Sequence, residues 1–130
     1  MEPEISTGVS EFGSQLAQLV GAVPGAQAAV VSDHRGDAVD FAHVPSMTDA
    51  LHVQLVGAQI GQTMQRLRVS SIIHGLGHPI VVVECSDATL IAAPLDRDYL
   101  LTLALSEHAS LARALAEISL ARGPLRALLR

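Results

Sequence analysis

Between residues 80 and 105 the chain carries three short apolar runs, IVVVE, TLIAAP and YLLTLAL, which begin nine or ten residues apart and are joined by Asp-bearing tetrapeptides. Runs of this length with turn residues between them predict three antiparallel strands in succession. They are apolar at nearly every position, not at alternate ones, so both faces of the resulting sheet must be covered, with a helix layer on each. At 130 residues the chain is long enough for one such domain with its own core. A single domain is expected over 1–130, with 1–6 and 123–130 as tails.

Composition narrows the partners. Aromatic side chains are limited to Phe12, Phe41 and Tyr99, too few for a surface that stacks bases or sugars. All eight basic residues are Arg, and against 13 acids they leave a formal charge of −5. That balance argues against nucleic acid and against phosphate binding in general. Residues 1–50 hold seven of the acids and one Arg, whereas 51–130 hold six acids and seven Arg; the basic ARGPLRALLR segment reads as a solvated tail. The single cysteine, Cys85, ends an apolar run and reads as a small buried hydrophobe, with no disulfide framework to suggest export. The acidic MEPEISTG start has no leader character, and no stretch is apolar enough to insert in a membrane. A soluble, cytoplasmic protein is expected.

Upstream of the three runs, Thr7 is placed to cap a helix carrying Val9, Phe12, Leu16, Leu19, Val20 and Val23 on one face, stopped by Pro24-Gly25. Residues 28–32 and 38–44 read as a hairpin closed by DHRGD, which supplies a glycine and two Asp for a tight reversal. The Arg35-Gly36-Asp37 tripeptide within it is a turn, not an adhesion motif. A long helix follows, entered through Pro45-Ser46 with Asp49 at its N3 position. Its expected inward stripe is Val53, Val56, Ile60, Met64 and Leu67, opposite a polar side of His52, Gln59, Thr63 and Arg66. The helix is expected to run to about Ile73 and to end at Gly75. A last helix is expected from Ser106-Glu107, with Leu111, Leu115 and Ile118 inward and Gly123-Pro124 as its end.

The predicted fold is therefore an α/β (α+β) three-layer sandwich of profilin-like layout. It has a five-stranded, largely antiparallel sheet in the order α-β-β-α-β-β-β-α, with the long helix on one face and the other two on the opposite face. Gly57 and Gly61 lie one turn apart in the long helix, each at a cost of about 1 kcal/mol relative to alanine. The offsetting gain is a close approach by a neighbouring element, and a dimer contact is one candidate.

No catalytic signature stands out. His74 and His78 have a spacing found among metal ligands, but Gly75 and Gly77 between them remove the helical geometry that would make them converge. There is no Gly-x-Ser-x-Gly elbow, and a chain without lysine cannot supply the lysine of a phosphate-binding P-loop. Neither an enzyme nor a cofactor is expected. A sensor of profilin-like or PAS-like layout, holding a small molecule between helix and sheet, is the alternative reading, with Glu84, Thr102 and His43 as the strand polar residues that could line a pocket.

The element order, the VPGAQAAVVSDHRGD segment, the Ala/Gly-rich second helix and the stretch IVVVECSDATLIAAPLDRDYLLTLALSEHASLARAL resemble the roadblock (dynein light chain) family over nearly the whole chain, its bacterial members in particular. Two departures stand out: Asp37 where an apolar residue is common, and Ala109-Ser110-Leu111 in place of an Asn-Leu-Gly-like segment. The resemblance implies a non-catalytic homodimer that pairs the first strand of the three-strand meander with its twin and serves as partner, scaffold or activator of a Ras-like small GTPase in bacterial signalling or polarity. Mapped here, the pairing strand is Ile80, Val81, Val82, Val83, Glu84 and Cys85. The strand's own chemistry points the same way, since a flat apolar edge with one charge would aggregate if left bare. Gly57 and Gly61 are further dimer candidates. His52, Gln59, Gln62 and Arg66, on the exposed side of the second helix, are the GTPase-facing candidates.

Overall fold

In a computed structural model, which describes residues 4–129, the chain runs through β1 (Ser6–Thr7), α1 (Glu11–Ala22), β2 (Ala26–Asp33), β3 (Ala38–His43), α2 (Ala50–Ile73), β4 (Val81–Glu84), β5 (Ala88–Pro94), β6 (Tyr99–Ser106) and α3 (Leu111–Leu128). The strands form one sheet in the order β1-β3-β2-β6-β5-β4. Every pairing is antiparallel. The sheet thus has six strands where five were expected. The extra one is β1, whose Ser6 and Thr7 pair with His43 and Ala42.

The apolar runs are explained by what lies on the two faces. Ala29 and Val31 of β2, with Leu101, Leu103 and Leu105 of β6, face α1 and α3 and join Leu16, Leu19, Val20, Ile118 and Leu125 in the main core. The alternate positions Ala28 and Val30 meet Val53 of α2, and Ala92 and Leu100 meet Met64. A strand with a helix on each side is apolar at every position because neither face meets water. Pro94 sits at the end of β5, paired only with Leu100. β4 starts opposite Ala92, so the missing N–H leaves no ladder partner unsatisfied.

Four local expectations are corrected. Thr7 is in β1, Val9 is fully exposed, and α1 begins at Glu11 after Ser10. The reason is distant in sequence: the buried Asp40 carboxylate of β3 accepts from Ser10 N (2.9 Å), the Ser10 hydroxyl and Gly13 N (3.1 Å), capping the helix from across the sheet. Asp49 is the N-cap of α2 and not its N3 residue, its Oδ1 accepting from His52 N at 2.7 Å. α3 starts after Ser110, whose hydroxyl accepts from Arg113 N, and it runs through Gly123-Pro124 to Leu128. Leu125 is fully buried there while Leu115 is exposed, so 123–129 is part of the fold and not a tail. Of the expected N-terminal tail, Ile5 packs on the main core and Ser6 is paired; residues 1–3 lie outside the described residues.

The β2–β3 turn is as expected. Asp33 Oδ1 accepts from Arg35 N (2.9 Å) and Asp37 N (3.0 Å), and Gly36 takes the positive φ of 89° that closes the reversal. α2 ends at Ile73, the expected place, with Gly75 just beyond it at φ 73°.

Candidate functional site

The two ends of the sheet differ in chemistry. β1 is two residues long, and a short edge offers little ladder to another chain. At the opposite end β4 pairs on one side only, with β5, from Val81 opposite Ala92 to Glu84 opposite Thr89. Its open side is apolar: Val82 is 37 % exposed, Val83 38 %, and Ile80 just before the strand 47 %.

The helix layer does not reach this edge. α2 packs mainly on β2 and β3, less on β6, because Gly57, with no side chain to meet Val30, lets it settle there. A Cβ on Gly57 would lie 2.7 Å from Val30 Cγ1, and one on Gly61 3.6 Å from Ser32 Oγ. Both glycines are therefore buried against the chain's own sheet, and their expected role in a dimer contact is corrected to a helix–sheet contact within the protomer. The flank of α2 that overlooks β5 and β4 carries Val56 and Ile60, both half-buried, and Leu67, 41 % exposed although it was expected in the core. Val81 packs toward Met64 of α2, so Val83 shares that face and Val82 the opposite one, and both remain exposed because neither helix layer covers this edge.

His52, Gln59, Gln62 and Arg66 are all exposed on α2. Gln62 and Arg66 line a shallow depression with Thr63 and Leu67. Leu51 and Leu55 are also exposed on this helix, so its outer surface is more apolar than its polar residues alone suggest. Cys85 is exposed and follows β4 instead of ending it; its N–H donates to Ala88 O at 2.8 Å in the hairpin turn. The expectation of a strand-buried thiol is corrected accordingly.

The residues of the sensor reading are not brought together. Glu84 is exposed at the β4 edge. His43 and Thr102 are buried, with His43 Nδ1 and Thr102 Oγ1 lacking a hydrogen-bond partner among the described residues. Thr102 lines a cavity under α2 of about 80 Å³, well below the roughly 300–1,000 Å³ of small-molecule sites. His74 Nδ1 donates to Ser70 O (2.8 Å), and His78 Nδ1 accepts from Arg68 Nε (3.1 Å). Among the described residues no group of three or more His, Cys, Asp or Glu is placed to hold a metal ion, and no helix is long and apolar enough to cross a membrane.

No protein-family profile matches the chain, and no curated protein matches it in sequence. Solved structures do match in three dimensions. A Roadblock/LC7 domain from Streptomyces avermitilis superposes with a TM-score of 0.80 at 20% identity, covering 92% of this chain and 98% of that one. MglB from Myxococcus xanthus gives 0.78 at 14% identity over 92% and 98% of the two chains. MglC from Myxococcus xanthus gives 0.68 at 22% over 91% and 98%. Sequence likeness this low says nothing about partners, whereas superposition over nine-tenths of both chains fixes the architecture: this chain has the roadblock fold.

Proposed function

We propose that this chain is a homodimeric interaction module, without chemistry of its own, that binds and regulates a Ras-like small GTPase as activator or scaffold in bacterial signalling or polarity. The observation that carries the first half is the open β4 edge beside an uncovered corner of the sheet. Joining β4 to a second β4 would pair the free ladder groups, cover Val82 and Val83, and remove a template for aggregation. Self-pairing also suits the symmetry of an isologous interface, in which one patch meets itself.

The GTPase half rests on the resemblance to the roadblock family, and the fold supports it. A structure described as MglB in a tetrameric arrangement, with a TM-score of 0.79 over 97% of this chain, is a likeness in keeping with self-association. The candidate contact surface is the outer side of α2, where His52, Gln59, Gln62 and Arg66 are interleaved with Leu51 and Leu55. A mixed surface of this kind suits a partner that binds and leaves. Arg66 is assigned contact only, not an arginine-finger role.

The test is a pull-down with a Ras-like GTPase encoded beside this chain, followed by its GTP hydrolysis rate with and without the protein. Binding with acceleration identifies an activator and binding without it a scaffold. Failure to bind any such GTPase removes the reading.

A further inference from the structure

Half of the chain's eight basic residues converge on one cleft. It lies between the C-terminal half of α2, the β5–β6 turn and the second half of α3, and has a volume of about 770 Å³. Arg68 comes from α2, Arg97 from the turn, and Arg122 and Arg126 from successive turns of α3, with His78 at the rim. The one carboxylate in the lining is Asp96. Its Oδ1 is committed to the turn, accepting from Asp98 N (2.9 Å) and Tyr99 N (3.0 Å). The ion pairs among the described residues, His108 with Glu107 and Arg113 with Glu117, lie elsewhere.

The guanidinium groups are held in place by neutral acceptors. Arg122 Nη2 donates to Pro94 O at 2.7 Å, Arg126 Nε to Leu95 O, and Arg68 Nη1 to Arg97 O. Arg122 and Arg126 each spend one of five guanidinium donors in this way and Arg68 two, its Nε also donating to His78 Nδ1, which fixes the head groups and leaves the remaining donors unspent. Arg122 Nε–H is buried with no partner among the described residues. Burial, and next the neighbouring Arg126 charge, lower the pKa of Arg122, the mark of a cation held where its charge is not balanced. Clamping a turn to a helix needs donors but not four like charges, whose mutual repulsion is a cost.

An anion would reverse that cost. Guanidinium forks match phosphate oxygens in pairs. Four guanidiniums against one carboxylate leave three positive charges in the lining, and a diphosphate carries about three negative charges at neutral pH. The cleft is also of the size that takes small molecules, roughly 300–1,000 Å³. We propose that the cleft lined by Arg68, Arg97, Arg122 and Arg126 binds a diphosphate-bearing small molecule. The formal charge of −5 had argued against phosphate binding, but a sum over the chain does not register where the charges sit. The cleft's rim at His78 and Pro94 lies close to the start of β4, but pyrophosphate binding is read on its own and its outcome does not depend on dimer or GTPase.

The experiment is calorimetric titration of the whole protein with inorganic pyrophosphate, without metal ions and at fixed ionic strength. One saturable, sub-millimolar site per chain is expected. R97Q is the decisive variant, since the Arg97 side chain bonds to no other described residue and its loss should leave the fold intact. It should weaken binding about tenfold, the worth of one charge-assisted hydrogen bond. R122Q/R126Q, its fold checked by circular dichroism, should abolish binding. No saturable heat with pyrophosphate, or unchanged affinity in R97Q, overturns the site. Equal affinity for orthophosphate or citrate overturns the diphosphate assignment.

Discussion

Asp40 sits in β3 yet decides where α1 begins. Its carboxylate is 5 % exposed and takes bonds from Ser10 and Gly13, the first orphan donors of the helix, while Ser10 makes no side-chain cap of its own. Asp40→Ala would leave Ser10 N without its acceptor and Gly13 N with only Ser10 O, at about 1 kcal/mol, the worth of a lost helix cap, measurable as a lower urea midpoint with an unchanged slope. The two helix glycines, identical by sequence, separate at this scale. Alanine removes about 1 kcal/mol of glycine's helix cost at either position. At Gly61 the new methyl meets nothing nearer than 3.6 Å, so Gly61→Ala should stabilise by about that amount. At Gly57 it falls 2.7 Å from the β-branched, buried Val30. Overpacking of about 1–3 kcal/mol should then make Gly57→Ala destabilising, and chemical denaturation of the pair should give opposite signs.

At the scale of the element, α3 shows how packing overrides local signals. Gly123-Pro124 is a stop by propensity, with a proline inside a helix costing about 3 kcal/mol. The helix nevertheless continues, because Leu125 beyond it is wholly buried in the main core and Arg122 and Arg126 tie it to the β5–β6 turn. Leu125→Ala should cost about 2–5 kcal/mol, whereas Leu120→Ala, at a position 71 % exposed, should stay within about 0.5 kcal/mol. Thermal melts of the two variants check the contrast. The β4 strand carries the complementary prediction. Val83→Lys places a charge on the open edge where self-pairing would bury it, and sedimentation should show the dimer give way to monomer while circular dichroism stays unchanged.

For the whole molecule, the sheet is closed at one end by brevity and left open at the other. If a second copy completes it, association and folding are linked, and the melting temperature should rise with protein concentration. A melting temperature constant over a hundredfold range of concentration would contradict the dimer. The layers themselves were legible in the sequence. Runs apolar at every position require two covered faces, and the turn chemistry of residues 33–37 and the glycine beyond Ile73 mark the β2–β3 reversal and the end of α2 from neighbouring residues alone. The candidate edge was legible for the same reason, because an apolar run bounded by turns stays recognisable wherever it ends up.

What the sequence could not decide are the contacts made by residues far apart along it. Asp40 lies 30 residues from the helix start it caps. Gly57 is explained by Val30, and Leu125 by a core built from both ends of the chain. The four cleft arginines are spread over α2, the β5–β6 turn and α3, where charge counted along the chain is blind to their meeting. Local periodicity and turn chemistry act over a few residues and determined the elements and layers. Capping at a distance, close approach and charge clustering need two elements already docked, and only the tertiary structure supplied them.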